Sequence, residues 1–219
     1  MSAEQEKDRA AQVAAGFVEE GMRVGLGTGS TVAFLLRALA ARRLDVRCVS
    51  TSPATEKAAR DLGMSIEPFS GTAALSRLDI AIDGADQVAP SGWLVKGGGA
   101  AHTREKAVAA AADRFVVIVS SDKLVERLSP PVPLELADFG LSATLRRLGT
   151  VRLRDVPRSP DGGVIADYTA DFEDPGELAR RLADTVGVVE HGLFPAHMVT
   201  QVVVARGEQV EIRDVPGEA

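Results

Sequence analysis

MRVGLGTGST, residues 22–31, places a short apolar run directly before a glycine-rich loop, and residues 31–42 behind it have strong helical spacing. A strand that passes through such a loop into a helix is the repeating unit of a parallel sheet. The alternation continues on either side. Residues 4–20 carry Ala, Val and Phe at helical intervals and stop at Gly21, which predicts an amphipathic helix. Residues 46–49 predict a second strand. Ser52 then has the character of a helix N-cap, with Pro53 at the first helical position and Gly63 as the stop. Residues 78–82 and 93–95 predict further strands, residues 103–114 an Ala-rich helix, and FVVIV at 115–119 a buried strand. The fold class expected is α/β, with a mostly parallel sheet covered by helices on both faces.

The pattern changes at Ser129-Pro130-Pro131. A strand at 132–136, a helix at 138–149, strands at 151–154 and 163–168, a helix at 175–185 and a strand at 187–193 follow. That order, βαββαβ, is the ferredoxin-like split unit. Two more strands, 198–205 and 208–213, meet at Gly207 and are expected to return to the first sheet. The domain division is therefore 1–129 with 198–219 as the large unit, and 130–197 as a small inserted one.

Composition narrows the function. A formal net charge of −6 argues against a nucleic-acid or anionic-membrane partner, though a pocket can still be locally positive. The single cysteine, Cys48, lies in the apolar run LDVRCVS and is expected to be a buried hydrophobe. One cysteine permits no internal disulfide, and the start, MSAEQEKDRAAQ, lacks the apolar core of a secretion signal, so a cytoplasmic protein is expected. Three scattered histidines, His102, His191 and His197, form no metal-ligand pattern. No metal or cofactor is expected.

Four segments carry residues suited to chemistry. Gly25 through Thr31 joins a strand to a helix start, where free backbone N–H groups and the hydroxyls of Thr28, Ser30 and Thr31, around Gly29, suit an anion. A tight turn would read the same way. A dinucleotide site fits poorly, because Ser50-Thr51-Ser52 stands where an acidic ribose partner is needed. Asp83-Gly84-Ala85-Asp86 ends an apolar strand, at the edge where open α/β sheets bind ligands. Lys96-Gly97-Gly98-Gly99 precedes a helix; three glycines are entropically costly unless the backbone must wrap something, and Lys96 could stabilise an oxyanion. Glu105 falls in the first turn of that helix, where capping is its ordinary use. Arg104 and Lys106 suit surface or ion-pairing positions, and His102 suits a pocket wall better than a base. Lys123 follows the strand at 115–119, on the same edge if that strand runs parallel to the others.

Taken together, GLGTGSTV, TSPATEKAARDLG, DIAIDGADQV, LVKGGGAAHTREK, FVVIVSSDK, PVPLEL and GVVEHGLF resemble, in order and across nearly the whole chain, ribose-5-phosphate isomerase of type A. The set DGAD, KGGGA and TREK is far more specific than any one loop. The resemblance implies a Rossmann-like large domain, a small α/β domain, and a homodimer or homotetramer. It implies that Glu105 is the general base and that Thr28, Gly29, Ser30, Thr31, Asp83, Gly84, Ala85, Asp86, Lys96, Gly97, Gly98, Gly99 and Lys123 bind substrate, with Lys7 in contact with phosphate. Gln87 and Ser120 depart from the family pattern, standing where acidic residues are common.

The reaction implied is aldose–ketose isomerisation through an enediolate. Glu105 would move the proton, Lys96 and the glycine-loop amides would hold the negative oxygen, and Asp83 would serve ring opening or hydroxyl proton transfer. A related amino-sugar phosphate deaminase or coenzyme A transferase shares the architecture but not the full motif set. A sugar-phosphate-sensing regulator would bring a helix-turn-helix and a basic face, and this chain has neither feature in its sequence.

Overall fold

The computed structural model describes residues 2–215. Helices α1 (Ala3–Ala15), α2 (Ser30–Arg42), α3 (Pro53–Asp61) and α4 (His102–Ala110) alternate with strands β1 (Arg23–Leu26), β2 (Arg47–Ser50), β3 (Ile80–Asp83), β4 (Gln87–Val88), β5 (Leu94–Val95) and β6 (Phe115–Ser120). Then come β7 (Val132–Leu136), α5 (Leu141–Leu148), β8 (Val151–Leu153), β9 (Val164–Tyr168), α6 (Pro175–Ala183), β10 (Val188–His191), β11 (Leu193–Phe194), β12 (Gln201–Arg206) and β13 (Gln209–Asp214).

The main sheet has the order β13-β12-β6-β3-β1-β2. Its strands run parallel except β13, which pairs antiparallel with β12 at the edge. Side chains alternate across a strand. Ile80 and Ile82 of β3, with Val116 and Ile118 of β6, therefore join α1 and α2 in one apolar layer. Ala81, Val117 and Val119 face the opposite way, into a second layer with Val108 and Ala109 of α4. By the same alternation Asp83 points to the α4 side. Helices cover both faces, as the sequence pattern predicts.

The strands of the 132–191 segment form their own antiparallel sheet, ordered β10-β7-β9-β8, with the element order βαββαβ. Leu134, Leu136, Ala166, Leu178 and Leu182 fill its core against α5 and α6. The strands β12 and β13 return to the main sheet. The expected domain limits run into Met1 and residues 216–219, which lie outside the described residues.

Several expected elements need correction; the helix expected at 103–114, for one, ends at Ala110. The first helix ends at Ala15, not at residue 20: Gly16 caps it, its N–H donating to Val13 and Ala14 carbonyls, and Val18 packs into the core from a turn. The apolar spacing continued, but the backbone did not. Trp93-Leu94-Val95 does not enter the main sheet; β5 pairs antiparallel with β4 and β11 in a separate three-stranded sheet. The single strand expected at 187–193 is divided at Gly192, whose N–H donates to Pro133 O in one sheet and whose carbonyl accepts from Lys96 N in the other. Gly192 thereby ties the small sheet to the strand that delivers Lys96.

A candidate active site at the carboxyl edge of the sheet

Strand β3 ends on Asp83, and the loop before α4 begins with Lys96. Both side chains are buried, and Lys96 Nζ donates to Asp83 Oδ2 at 2.9 Å and to the Gly84 carbonyl. Asp83 Oδ1 accepts from the backbone N–H of Thr28 at 3.1 Å and of Gly84 at 2.7 Å. Each carboxylate oxygen therefore has a partner. Gly27 makes room for it, since a Cβ there would fall 1.9 Å from the Asp83 carboxyl carbon. Gly25 does the same for α4, where a Cβ would stand 2.4 Å from Val108 Cγ1. These two glycines serve packing, not ligand approach; among the loop glycines, Gly29, at φ +117°, is the one that lines the cleft.

Helix α4 turns Glu105 inward. Its N-cap, Ala101, makes no side-chain cap bond, and Glu105 is buried. Glu105 Oε2 lies 3.2 Å from Lys96 Nζ. Burial pushes the Glu105 carboxyl up, to about 8, and the Asp83 charge adds to this, while Lys96 opposes it. Burial likewise raises the Asp83 carboxyl against the pull of Lys96 and the two backbone donors. Lys96 is held above its ordinary value, because the two carboxylates outweigh its own desolvation. One ammonium thus stands between two carboxylates. Among the described residues, no group of three or more His, Cys, Asp or Glu side chains is arranged to hold a metal.

An open cleft of about 580 Å³ lies above this triad. Lys7, Thr28, Gly29, Ser30, Thr31, Gly84, Ala85, Asp86, Lys96, Gly97, Gly98, Gly99, Glu105 and Lys123 line it. Every binding residue expected from the sequence is brought to this cleft except Asp83, which sits beneath its floor. There its oxygens accept from Lys96 and from the backbone of Thr28 and Gly84.

One end of the cleft is built for an anion. Helix α2 starts at Ser30 with Gly29 as an N-cap that offers no side-chain acceptor. Lys7 reaches across from α1 and donates to Ser30 Oγ at 3.0 Å. Lys123 completes that end, its ammonium 3.4 Å from Asp122. Ser120, one of the departures from the family pattern, donates its hydroxyl to Asp122. Gln87, the other, exchanges bonds with Ser129 away from the cleft. Thr28 Oγ1 shares a 2.7 Å bond with Thr51, the first residue of the TSPATEKAARDLG segment.

At the other end, Asp86 Oδ2 accepts from the Gly98 N–H at 2.7 Å. His102 lies fully buried behind Gly97, which carries φ +103° and no Cβ to meet the ring. Burial, with Lys106 nearby, lowers the His102 imidazole to about 4, so it stays neutral. Arg104 pairs with Asp161, and Lys106 with Glu190, both away from the reacting end. Two residues escaped the sequence reading. Arg154 grips the glycine loop from the small sheet, and the buried Asp167 on β9 holds Arg154. A charged residue inside the apolar run VIADY was the available signal.

Comparison with known proteins places these features in context. The family model described as ribose 5-phosphate isomerase A (phosphoriboisomerase A) matches residues 47–209. Ribose-5-phosphate isomerase A of Halobacterium salinarum is 44% identical over 225 residues, covering 97% of each chain. The crystal structure of the Neisseria gonorrhoeae ribose 5-phosphate isomerase A superposes with a TM-score of 0.91 at 29% identity, covering 98% of each chain. A D-ribose-5-phosphate isomerase solved in complex with phospho-erythronic acid superposes at 0.89 with 32% identity, covering 98% of this chain and 100% of that one. No described helix is long and apolar enough to cross a membrane.

Proposed function

The chain belongs to the ribose 5-phosphate isomerase A family and interconverts D-ribose 5-phosphate and D-ribulose 5-phosphate, and we propose that Glu105 is the base that carries the proton between C2 and C1. The observation that carries this role is the buried Glu105–Lys96 pair, at 3.2 Å on the floor of the cleft. A carboxylate raised by burial is a stronger base than one in water. Beside it, Lys96 supplies positive charge where the enediolate oxygen becomes negative.

Starting from the open-chain aldose, Glu105 takes the C2 proton and the carbonyl electrons move onto O1. The resulting enediolate rests against Lys96 and the glycine-loop N–H groups. Glu105 then returns its proton to C1, the O2 proton having passed to O1, which leaves the ketose. The phosphate sits at the start of α2 with Ser30, Thr31, Lys7 and Lys123, and so fixes C1 and C2 over the base. Asp86 meets the sugar hydroxyls, while Asp83 keeps Lys96 charged and in place. The phospho-erythronic acid bound by the structural relative, a sugar acid with a carboxylate at its end, supports an enediolate-like intermediate in this reading. The test is an isomerase assay with ribose 5-phosphate and a chelator, comparing the parent with Glu105→Gln. Turnover by the parent and its loss in the variant are expected. Parent-like turnover in the variant removes Glu105 from the role, and loss of parent activity with the chelator brings in a metal.

The same reading takes residues 1–129 with 198–219 as the catalytic unit and 130–197 as an inserted one. It takes the enzyme to be a cytoplasmic homodimer or homotetramer that needs no cofactor. The single cysteine, which permits no internal disulfide, supports a reducing cytoplasm. The exposed Phe139, Val186 and Val189 support self-association. Light scattering on the purified chain decides it, and a monomer at assay concentrations would end that part of the proposal.

A further inference from the structure

The Lys96-Gly97-Gly98-Gly99 loop has no side chains to hold the backbone of its three glycines, yet the proposed chemistry needs its N–H groups aimed. Glycine carries the largest backbone entropy of any residue, and the loop's own turn closes with one bond, from the Ala100 N–H to Gly97 O at 3.0 Å. A further hold comes from outside, from Arg154, just beyond β8 on the small sheet. Its Nη1 donates to Gly97 O at 2.9 Å and to Gly98 O at 3.1 Å. Its Nε and Nη2 donate to Asp167 Oδ1 at 3.0 and 2.6 Å. Asp167 is buried on β9 and also meets Arg152 at 3.4 Å. The planar guanidinium is thus fixed on one edge by a carboxylate and fixes two peptide carbonyls with the other.

Peptide planarity turns this grip into aim. In a trans peptide the N–H points opposite to the carbonyl of the preceding residue. Holding Gly97 O sends the Gly98 N–H the other way, where Asp86 Oδ2 accepts it at 2.7 Å. Holding Gly98 O sends the Gly99 N–H away from Arg154. Gly99 lines the cleft, and its N–H has no partner among the described residues. We propose that Arg154, anchored by Asp167, is a positioning residue that aims the Gly99 N–H at the oxygen that becomes negative in the reaction. The inserted sheet would then have a catalytic purpose. This rests on the glycine loop being part of the anion-stabilising set.

The test measures kcat, KM and inhibition by two anions, phospho-erythronic acid and inorganic phosphate, in the parent, Arg154→Met and Arg154→Lys. The Met variant strands two carbonyls and Asp167 and can fail to fold. The Lys variant keeps the charge beside Asp167 but cannot bridge both carbonyls. Expected in either is a fall in kcat of roughly 10- to 100-fold, the scale of a displaced transition-state donor. Phospho-erythronic acid inhibition weakens in parallel, while inorganic phosphate, held at α2, inhibits as before. Parent-like kcat and phospho-erythronic acid affinity in a folded variant overturn the proposal. So does equal weakening of both anions with a lowered melting temperature, the mark of a general structural role. If the parent itself binds phospho-erythronic acid no more tightly than phosphate, the loop's part fails, and the proposal falls with it.

Discussion

Lys96 Nζ stands 3.2 Å from Glu105 Oε2 while the two side chains keep only 3% and 4% of their surface. The pair is taken out of water together, and Asp83 holds the ammonium from the far side at 2.9 Å. A base in that setting is stronger than an exposed glutamate and keeps its counter-charge at reaction distance. Four expectations follow from this floor and its surroundings.

Glu105→Gln removes the proposed base and keeps the shape. The expected loss of kcat is about 10²–10⁴-fold, with substrate binding close to that of the parent. Steady-state kinetics with ribose 5-phosphate, plus direct binding by calorimetry, check both halves.

Because the Glu105 carboxyl is raised from its ordinary value to about 8, the acid limb of the kcat/KM profile lies near neutrality or above, far from the ordinary glutamate range. The active form is deprotonated, so activity rises with pH through that limb. Asp83→Asn removes a charge that raises Glu105 and moves the limb to lower pH. Stability follows the same titration. A carboxyl raised in the folded state contributes most below its unfolded value, and that contribution is lost as pH rises towards 8. The melting temperature of Glu105→Gln relative to the parent should therefore climb between about pH 5 and pH 8. A flat difference across that window would mean that Glu105 titrates normally.

In the proposed binding mode, Lys7 and Lys123 meet the phosphate from the cleft wall. Replacing either by Ala should raise KM by about tenfold or more, as expected for a lost charge-assisted bond, and should change kcat less. Added salt should narrow the gap, since both ammonium groups keep partial access to solvent. A fall in kcat with constant KM would place them in the chemistry instead.

Gly27→Ala adds one methyl carbon, which would fall 1.9 Å from the Asp83 carboxyl carbon. Asp83 must move, and Lys96 loses its anchor. The expected results are a large fall in kcat/KM and an overpacking cost of about 1–3 kcal/mol, read by denaturant titration. Gly29→Ala has open space for the methyl and is strained only in its backbone, at φ +117°. It should be milder in stability.

Much of this was legible in the chain. Strand-loop-helix alternation located β1, α2, β2, α3, β3, α4 and β6, the strands from short apolar runs, α2 from its apolar spacing, α3 from its Ser52-Pro53 start and Gly63 stop, and α4 from its alanine content. The βαββαβ order was visible for the same reason. The three-stranded sheet was not, since β4, β5 and β11 have two residues each and show no period. The end of α1 was misplaced because Phe17 and Val18 keep the apolar spacing after the helical bonds have stopped.

The motifs by themselves determined the family, the segments that line the cleft and the lysines that suit an anion, because residue type and spacing carry that information locally. Orientation was decided only by the tertiary structure. A first-turn glutamate can cap its helix or turn inward, and Lys96, delivered by β5 from another sheet, makes the inward position affordable. That Asp83 packs against Gly27 and accepts from the Thr28 N–H is likewise a matter of tertiary structure. Arg154 lies 57 positions from Gly97 and meets it only because two sheets pack together. Burial and pairing arise between distant segments, and pairing sets both the pKa of a carboxylate and the direction of a peptide N–H.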